Sequence, residues 1–144
     1  AVQERAALEI IAAVEGGRDV VIRKSRDMGA SWLLAAVSAW GWMFKGWQTL
    51  LVSRVEDGVD RPGDPDSLLW KVDYLLQSQP PWLLPGNPNE LLKRGSDTRQ
   101  HMMLRNPVFP TNTLLRGRVE PPQLAGIAAG AATIEGAVGT QREP

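Results

Sequence analysis

Lys24, Arg26, Gly29 and Ser31 fall within eight residues of one another. Two cations, a glycine and a hydroxyl at that spacing suit the recognition of a phosphate group and its Mg²⁺. Lysine brings a long, flexible point charge, and arginine brings a planar fork of donors. The surrounding pattern supplies the elements to hold them. Val20-Val21-Ile22 is β-branched and suits a buried strand up to Arg23. Trp32 to Phe44 is apolar on most faces, with Leu33, Leu34, Val37 and Trp40 among its members, and suits a buried helix. A strand, a charged turn and a helix form an anion site, because the first N–H groups of the helix lack intrahelical partners and point into the turn.

The motif G-x-x-x-x-G-K-[ST] cradles phosphates by this logic. Laid on the chain, its second glycine is Gly29 and its hydroxyl is Ser31. Ala30 stands at the usual lysine and Lys24 at the usual first glycine, so the positive charge sits at the opposite end of the loop. Arg23 through Trp32 resembles the deviant Walker A of large terminase subunits, the ATPases that package DNA into tailed-phage heads. In that family the lysine often opens the loop. Leu50 to Asp57, then Val59 to Leu76 and Pro81 to Pro85, are similar in wording and order to one branch of the same ATPase domain, so the likeness covers roughly residues 1–110.

The resemblance implies a fold, a ligand and partners. The fold is a P-loop NTPase-like three-layer α/β sandwich with a mainly parallel sheet. It is partial over residues 1–118 and followed by an Ala/Gly-rich tail over 119–144. The cofactors are ATP and Mg²⁺. Lys24, Ser25, Arg26, Asp27, Met28, Gly29, Ala30 and Ser31 form the loop, with Lys24 on phosphate and Ser31 on the metal. Arg26 acts as a finger on the γ-phosphate, the alternative being an ion pair with Asp27 or a nearby acid. Gln3 reads the adenine edge, which an amide can do because it both donates and accepts; otherwise it is a surface side chain. The partners are double-stranded DNA, a small terminase subunit and a portal ring, around a homo-oligomeric motor in the host cytoplasm. A helicase-like P-loop ATPase and a non-catalytic prophage remnant are the competing readings.

Hydrolysis needs a Walker B aspartate and a neighbouring glutamate. Asp-Glu never occurs as a pair, so the chain reads as the first part of an ATPase domain that stops short of its catalytic acids. The chain starts without methionine and shows no secretory leader, its first residues including Glu4, Arg5 and Glu9.

Composition sets wider bounds. The 144 residues are 43% hydrophobic and 22% charged, which is globular, and the formal net charge is zero. Cysteine is absent, which excludes disulfides and thiolate metal sites. No stretch of about twenty apolar residues is present to cross a membrane. Acids dominate from Glu56 to Glu90, whereas from Lys93 to Arg118 six basic residues face only Asp97. That basic stretch reads either as a solvated loop region or as a surface near a polyanion.

Periodicity places the remaining elements. Val2 to Val14 reads as a helix closed by Gly16-Gly17. Trp47 to Ser53 reads as a second strand, parallel to the first through a right-handed crossover. Ser67 to Gln77 reads as a helix capped by Asp66 or Ser67. Its Trp70 and Tyr74 read as core, and Asp60, Asp64 and Asp66 as a solvated turn. Met102 to Leu104 and Thr133 to Gly136 read as short strands.

Overall fold

The computed structural model describes residues 2–109 and 113–119, and the backbone of 136–137. Helix α1 spans Val2–Glu15 and α2 spans Ala30–Phe44. Strand β1 (Thr49–Ser53) comes next, then the single-turn helix α3 (Glu56–Val59) and helix α4 (Leu68–Gln77). A 3₁₀ turn at Pro81–Leu83 and the short α5 (Pro88–Leu91) lead to β2 (Arg99–Gln100), β3 (Met103–Arg105) and β4 (Leu114–Val119). Strand β5 is Gly136–Ala137. The protein is mixed α/β, with one sheet in the order β2-β3-β4-β1-β5.

Local signals set most of the boundaries. Gly17, at φ 64°, ends α1, and Gly46, also at φ 64°, ends α2; glycine enters this left-handed region without a Cβ penalty. Ser67 caps α4, its hydroxyl accepting from Trp70 N–H at 3.4 Å. Ala35, Ala39 and Trp42 recur at helical spacing along α2 and are buried. They meet Leu69, Val72 and Leu76 of α4, and Leu51, Leu104 and Leu115 of the sheet, in one hydrophobic core. Two glycines permit close approach: a Cβ on Gly41 would stand 2.0 Å from the Trp47 ring, and one on Gly117 would stand 2.0 Å from Val59.

The first predicted strand is corrected. Residues 20–23 lie outside the sheet, with Val20, Val21 and Ile22 exposed at 47, 94 and 41%. β-branched residues prefer strands only where a neighbour offers pairing and packing, and no strand among the described residues lies beside these. The parallel partner of β1 is therefore β4, in register from Thr49–Leu115 to Ser53–Val119. The expected crossover across the anion turn is replaced by the longer connection over 54–113.

The sheet is mixed rather than mainly parallel. Among the described residues only β1 and β4 run parallel; the pairs β1–β5, β2–β3 and β3–β4 are antiparallel. Of the predicted strand at Thr133 to Gly136, residues 133–135 lie outside the described residues, as does most of the 119–144 tail.

Candidate phosphate-binding loop

Of the predicted strand, turn and helix, the turn and the helix are present and the strand is not. Gly29 stands before the first residue of α2 at φ 71°, ψ 16°, with no side chain capping the helix. The leading N–H groups of α2 are therefore left open toward the loop. Leu33 N–H makes the first helical bond, to Gly29 O at 3.0 Å. Asp27 also adopts a positive φ, 58°, so the chain reverses twice within three residues just ahead of the helix. Short polar side chains tolerate that conformation better than most.

Lys24, Ser25, Arg26, Asp27 and Met28 are all exposed, while Gly29, Ala30 and Ser31 are half-buried. Among the described residues neither Lys24 nor Arg26 makes an ion pair, and Arg26 does not bond to Asp27. Gln3, from the first turn of α1, lies beside the loop: its Nε2 is 3.3 Å from the point that a Gly29 Cβ would occupy. The structure thus brings Gln3, Gly29 and the start of α2 together and keeps two cations in solvent at the loop's outer end. Free helix N–H groups, a hydroxyl and exposed cations can receive an anion.

Next to the loop stands a cluster of aromatic rings that the spacing of Trp70 and Tyr74 only half reveals. Trp32, in the first turn of α2, meets Trp70 edge-on at 6.3 Å and Tyr74 edge-on at 5.7 Å. Trp70 and Tyr74 stack at 5.3 Å. The pair read as core is instead partly open, with Tyr74 50% exposed.

The acidic turn and the basic stretch are corrected together. Asp60 is buried, not solvated, and so is Arg99. Arg99 donates to Asp60 Oδ1 and to Asp73 Oδ1 and Oδ2, each at 3.0 Å. Arg94 donates to Asp60 Oδ1 at 2.6 Å and Met102 N–H to Asp60 Oδ2 at 2.9 Å. Burial alone would raise the Asp60 pKa, but the bonds from Arg94, Arg99 and Met102 outweigh it and hold this carboxyl well below the ordinary range. Asp73 is displaced the other way, because burial outweighs its bonds from Arg99. His101 closes the rim, Nε2 lying 2.9 Å from Glu56 and Nδ1 3.4 Å from Asp60. Behind the turn, buried Lys71 donates to the carbonyls of Pro65 and Asp66 at 2.7 and 2.8 Å; burial lowers its pKa, offset in part by Asp66 and Asp64.

This network ties α3 and α4 to the β2–β3 hairpin and leaves no carboxylate of Asp60 or Asp73 for a ligand. No sequence signal marks it, because the partners that Asp60 and Asp73 bond stand 26 to 42 positions away and pair only through the fold. Among the described residues, no helix is long and apolar enough to cross a membrane. Comparison with known proteins returned no matching family model, no matching curated protein and no matching solved structure.

Proposed function

We propose that residues 24–31 bind the triphosphate of ATP with Mg²⁺, and that the chain is the ATP-binding part of a P-loop ATPase of the large-terminase kind. The observation that carries this reading is the placement of Gln3 against Gly29, at the open N-terminus of α2, in a loop whose Lys24 and Arg26 are exposed. In this arrangement Lys24 holds the β- and γ-phosphates and the α2 N–H groups take a phosphate oxygen. Ser31 ligates Mg²⁺, and Arg26 lies against the γ-phosphate. Gln3 reads the base edge. Mg²⁺ would neutralise phosphate charge. The finer fold belongs to the same proposal: Val20–Ile22 becomes an inner strand of a P-loop-like sheet once further strands pair with it. In that setting the intact motor would package double-stranded DNA with its small subunit and portal.

The exposure of Val20–Ile22 favours one other reading, a remnant whose loop no longer has the strand that would fix it. Calorimetry with ATP and Mg²⁺ separates the two. Binding should weaken by about tenfold or more in Lys24→Ala and Ser31→Ala, since a hydrogen bond to a charged group contributes about 1.5–3 kcal/mol. Gln3→Ala should weaken ATP but leave inorganic tripolyphosphate unchanged. A folded parent with no affinity for either ligand supports the remnant.

A further inference from the structure

The aromatic cluster beside the loop is held firmly and yet left open. Trp70 backs Tyr74, the two rings stacking with their planes 15° apart, and Tyr74 remains half exposed. Trp32 is braced edge-on by both rings and remains 37% exposed. Lys71 Nζ stands over Trp32, 5.8 Å from the ring centre. A cation attracts an indole in that position, and this one is fixed by the carbonyls of Pro65 and Asp66. The rings are therefore set before any ligand arrives. Apolar side chains exposed singly are ordinary on a surface. Two open rings, fixed from behind at one spot, form a prepared surface.

The place of that surface matters. Trp32 directly follows Ser31, and it stands three residues after Gly29, where the Gln3 amide lies. Residues three apart along a helix are neighbours on one face. Gln3, Trp32 and Tyr74 thus gather at one side of the α2 N-terminus.

We infer that Trp32 and Tyr74 form the stacking platform for the purine base of a nucleotide, which rests on the reading that residues 24–31 hold its phosphates. A base is flat, with apolar faces and a polar edge. Aromatic rings accept such a partner either offset-stacked or edge-on, and they do so for any base, because every base has a π-face. An amide beside the rings reads the edge, since it both donates and accepts. The two contributions are separate: the rings supply affinity for a base, and Gln3 supplies its identity. Two open rings 5.7 Å apart present more surface than a single pyrimidine ring covers, so a fused purine gains more. Their fixed positions lower the ordering cost of binding.

Calorimetry on the full chain tests it, with ATP, UTP and inorganic tripolyphosphate as probes, each with Mg²⁺. The parent should bind ATP more tightly than UTP, and UTP more tightly than tripolyphosphate. Tyr74→Ala should weaken ATP by about fivefold or more, the factor expected when a base loses one stacking ring, and leave tripolyphosphate unchanged. Tyr74→Phe keeps the ring and should restore the preference for ATP. Circular dichroism checks that each variant is folded, and Tyr74, being half exposed, can be replaced without opening the core. The inference is overturned, with the phosphate reading intact, if the parent binds tripolyphosphate as tightly as ATP, or if Tyr74→Ala keeps the full preference for ATP. It is overturned too if Tyr74→Ala weakens tripolyphosphate as much as ATP, since the ring would then only support the fold. A folded parent that binds none of the probes removes the phosphate reading and this inference together.

Discussion

Arg99 shows what one side chain can hold. Its guanidinium is fully buried and bridges Asp60, Asp73 and, through Asp60, Arg94. Replacing a buried ion pair with a well-packed apolar group can be neutral, but removing one member strands the others. Arg99→Leu leaves two carboxylates without their shared cation, and should cost about 3–5 kcal/mol in a denaturant titration. Lys24→Ala, at an exposed site, should fall within about 0.5 kcal/mol of the parent. The same cluster sets the pH dependence. Asp60 is depressed in the folded state, so the unfolded chain binds its proton more readily. That contribution to stability is present above the ordinary aspartate range, near pH 4, and is lost as pH falls through and below it. Asp73, displaced upward, has the opposite sign and makes the loss shallower. Asp60→Asn should lower stability at neutral pH and flatten its decline toward acid, as read by unfolding midpoints between about pH 3 and 7.

At the scale of the element, α2 and the segment before it behave differently. Gly41 shows how closely α2 packs on Trp47, beyond its own C-terminus. Alanine is the better helix former by about 1 kcal/mol, yet its Cβ would enter the Trp47 ring. Gly41→Ala should therefore destabilise by about 1–3 kcal/mol, and a rise in the denaturant midpoint would refute that packing. The segment at Val20–Ile22 makes the contrary case. An inner strand position would lose about 2 kcal/mol or more on Val21→Thr through lost apolar burial; at 94% exposure the change should stay within about 0.5 kcal/mol. These two segments mark what a single sequence can tell. Helices α1, α2 and α4 announce themselves through glycines, a serine cap and apolar stripes, which are local. The β-branched run at Val20–Ile22 is as clear a local signal, but a strand exists only with a neighbour, and sequence does not show neighbours. Asp60 and Arg99 mislead for the same reason, their charges being paired across 39 positions. Within the candidate site the order of residues 24–31 is legible. The contact of Gln3 with Gly29 is legible only as a role that the family resemblance suggests.

For the whole molecule, the position of the loop relative to the core decides how it works. The core lies between α2, α4 and the helix-covered side of the sheet. From α2, Ala35, Ala39 and Trp42 belong to it, whereas residues 20–25 pair with no strand among the described residues. One half of the candidate site therefore lies on a packed helix, and the other is tethered without strand pairing among the described residues. A ligand held by both halves must order the tethered one, and it loses that conformational entropy on binding, about 1–2 kcal/mol for each residue fixed. The affinity of this chain should accordingly fall well below what the contacts alone would give. Hydrogen exchange measures the difference directly. Amides of β1 and β4, paired within the sheet, should exchange slowly, near the limit set by global unfolding. Amides of residues 20–25 should exchange close to free-chain rates in the protein alone. If Lys24 and the α2 N-terminus grip one triphosphate, ATP with Mg²⁺ should slow the exchange of 20–25 while β1 and β4 change little. Slow exchange there without ligand would mean that the segment is already paired, and the division between packed and tethered halves would fall with it.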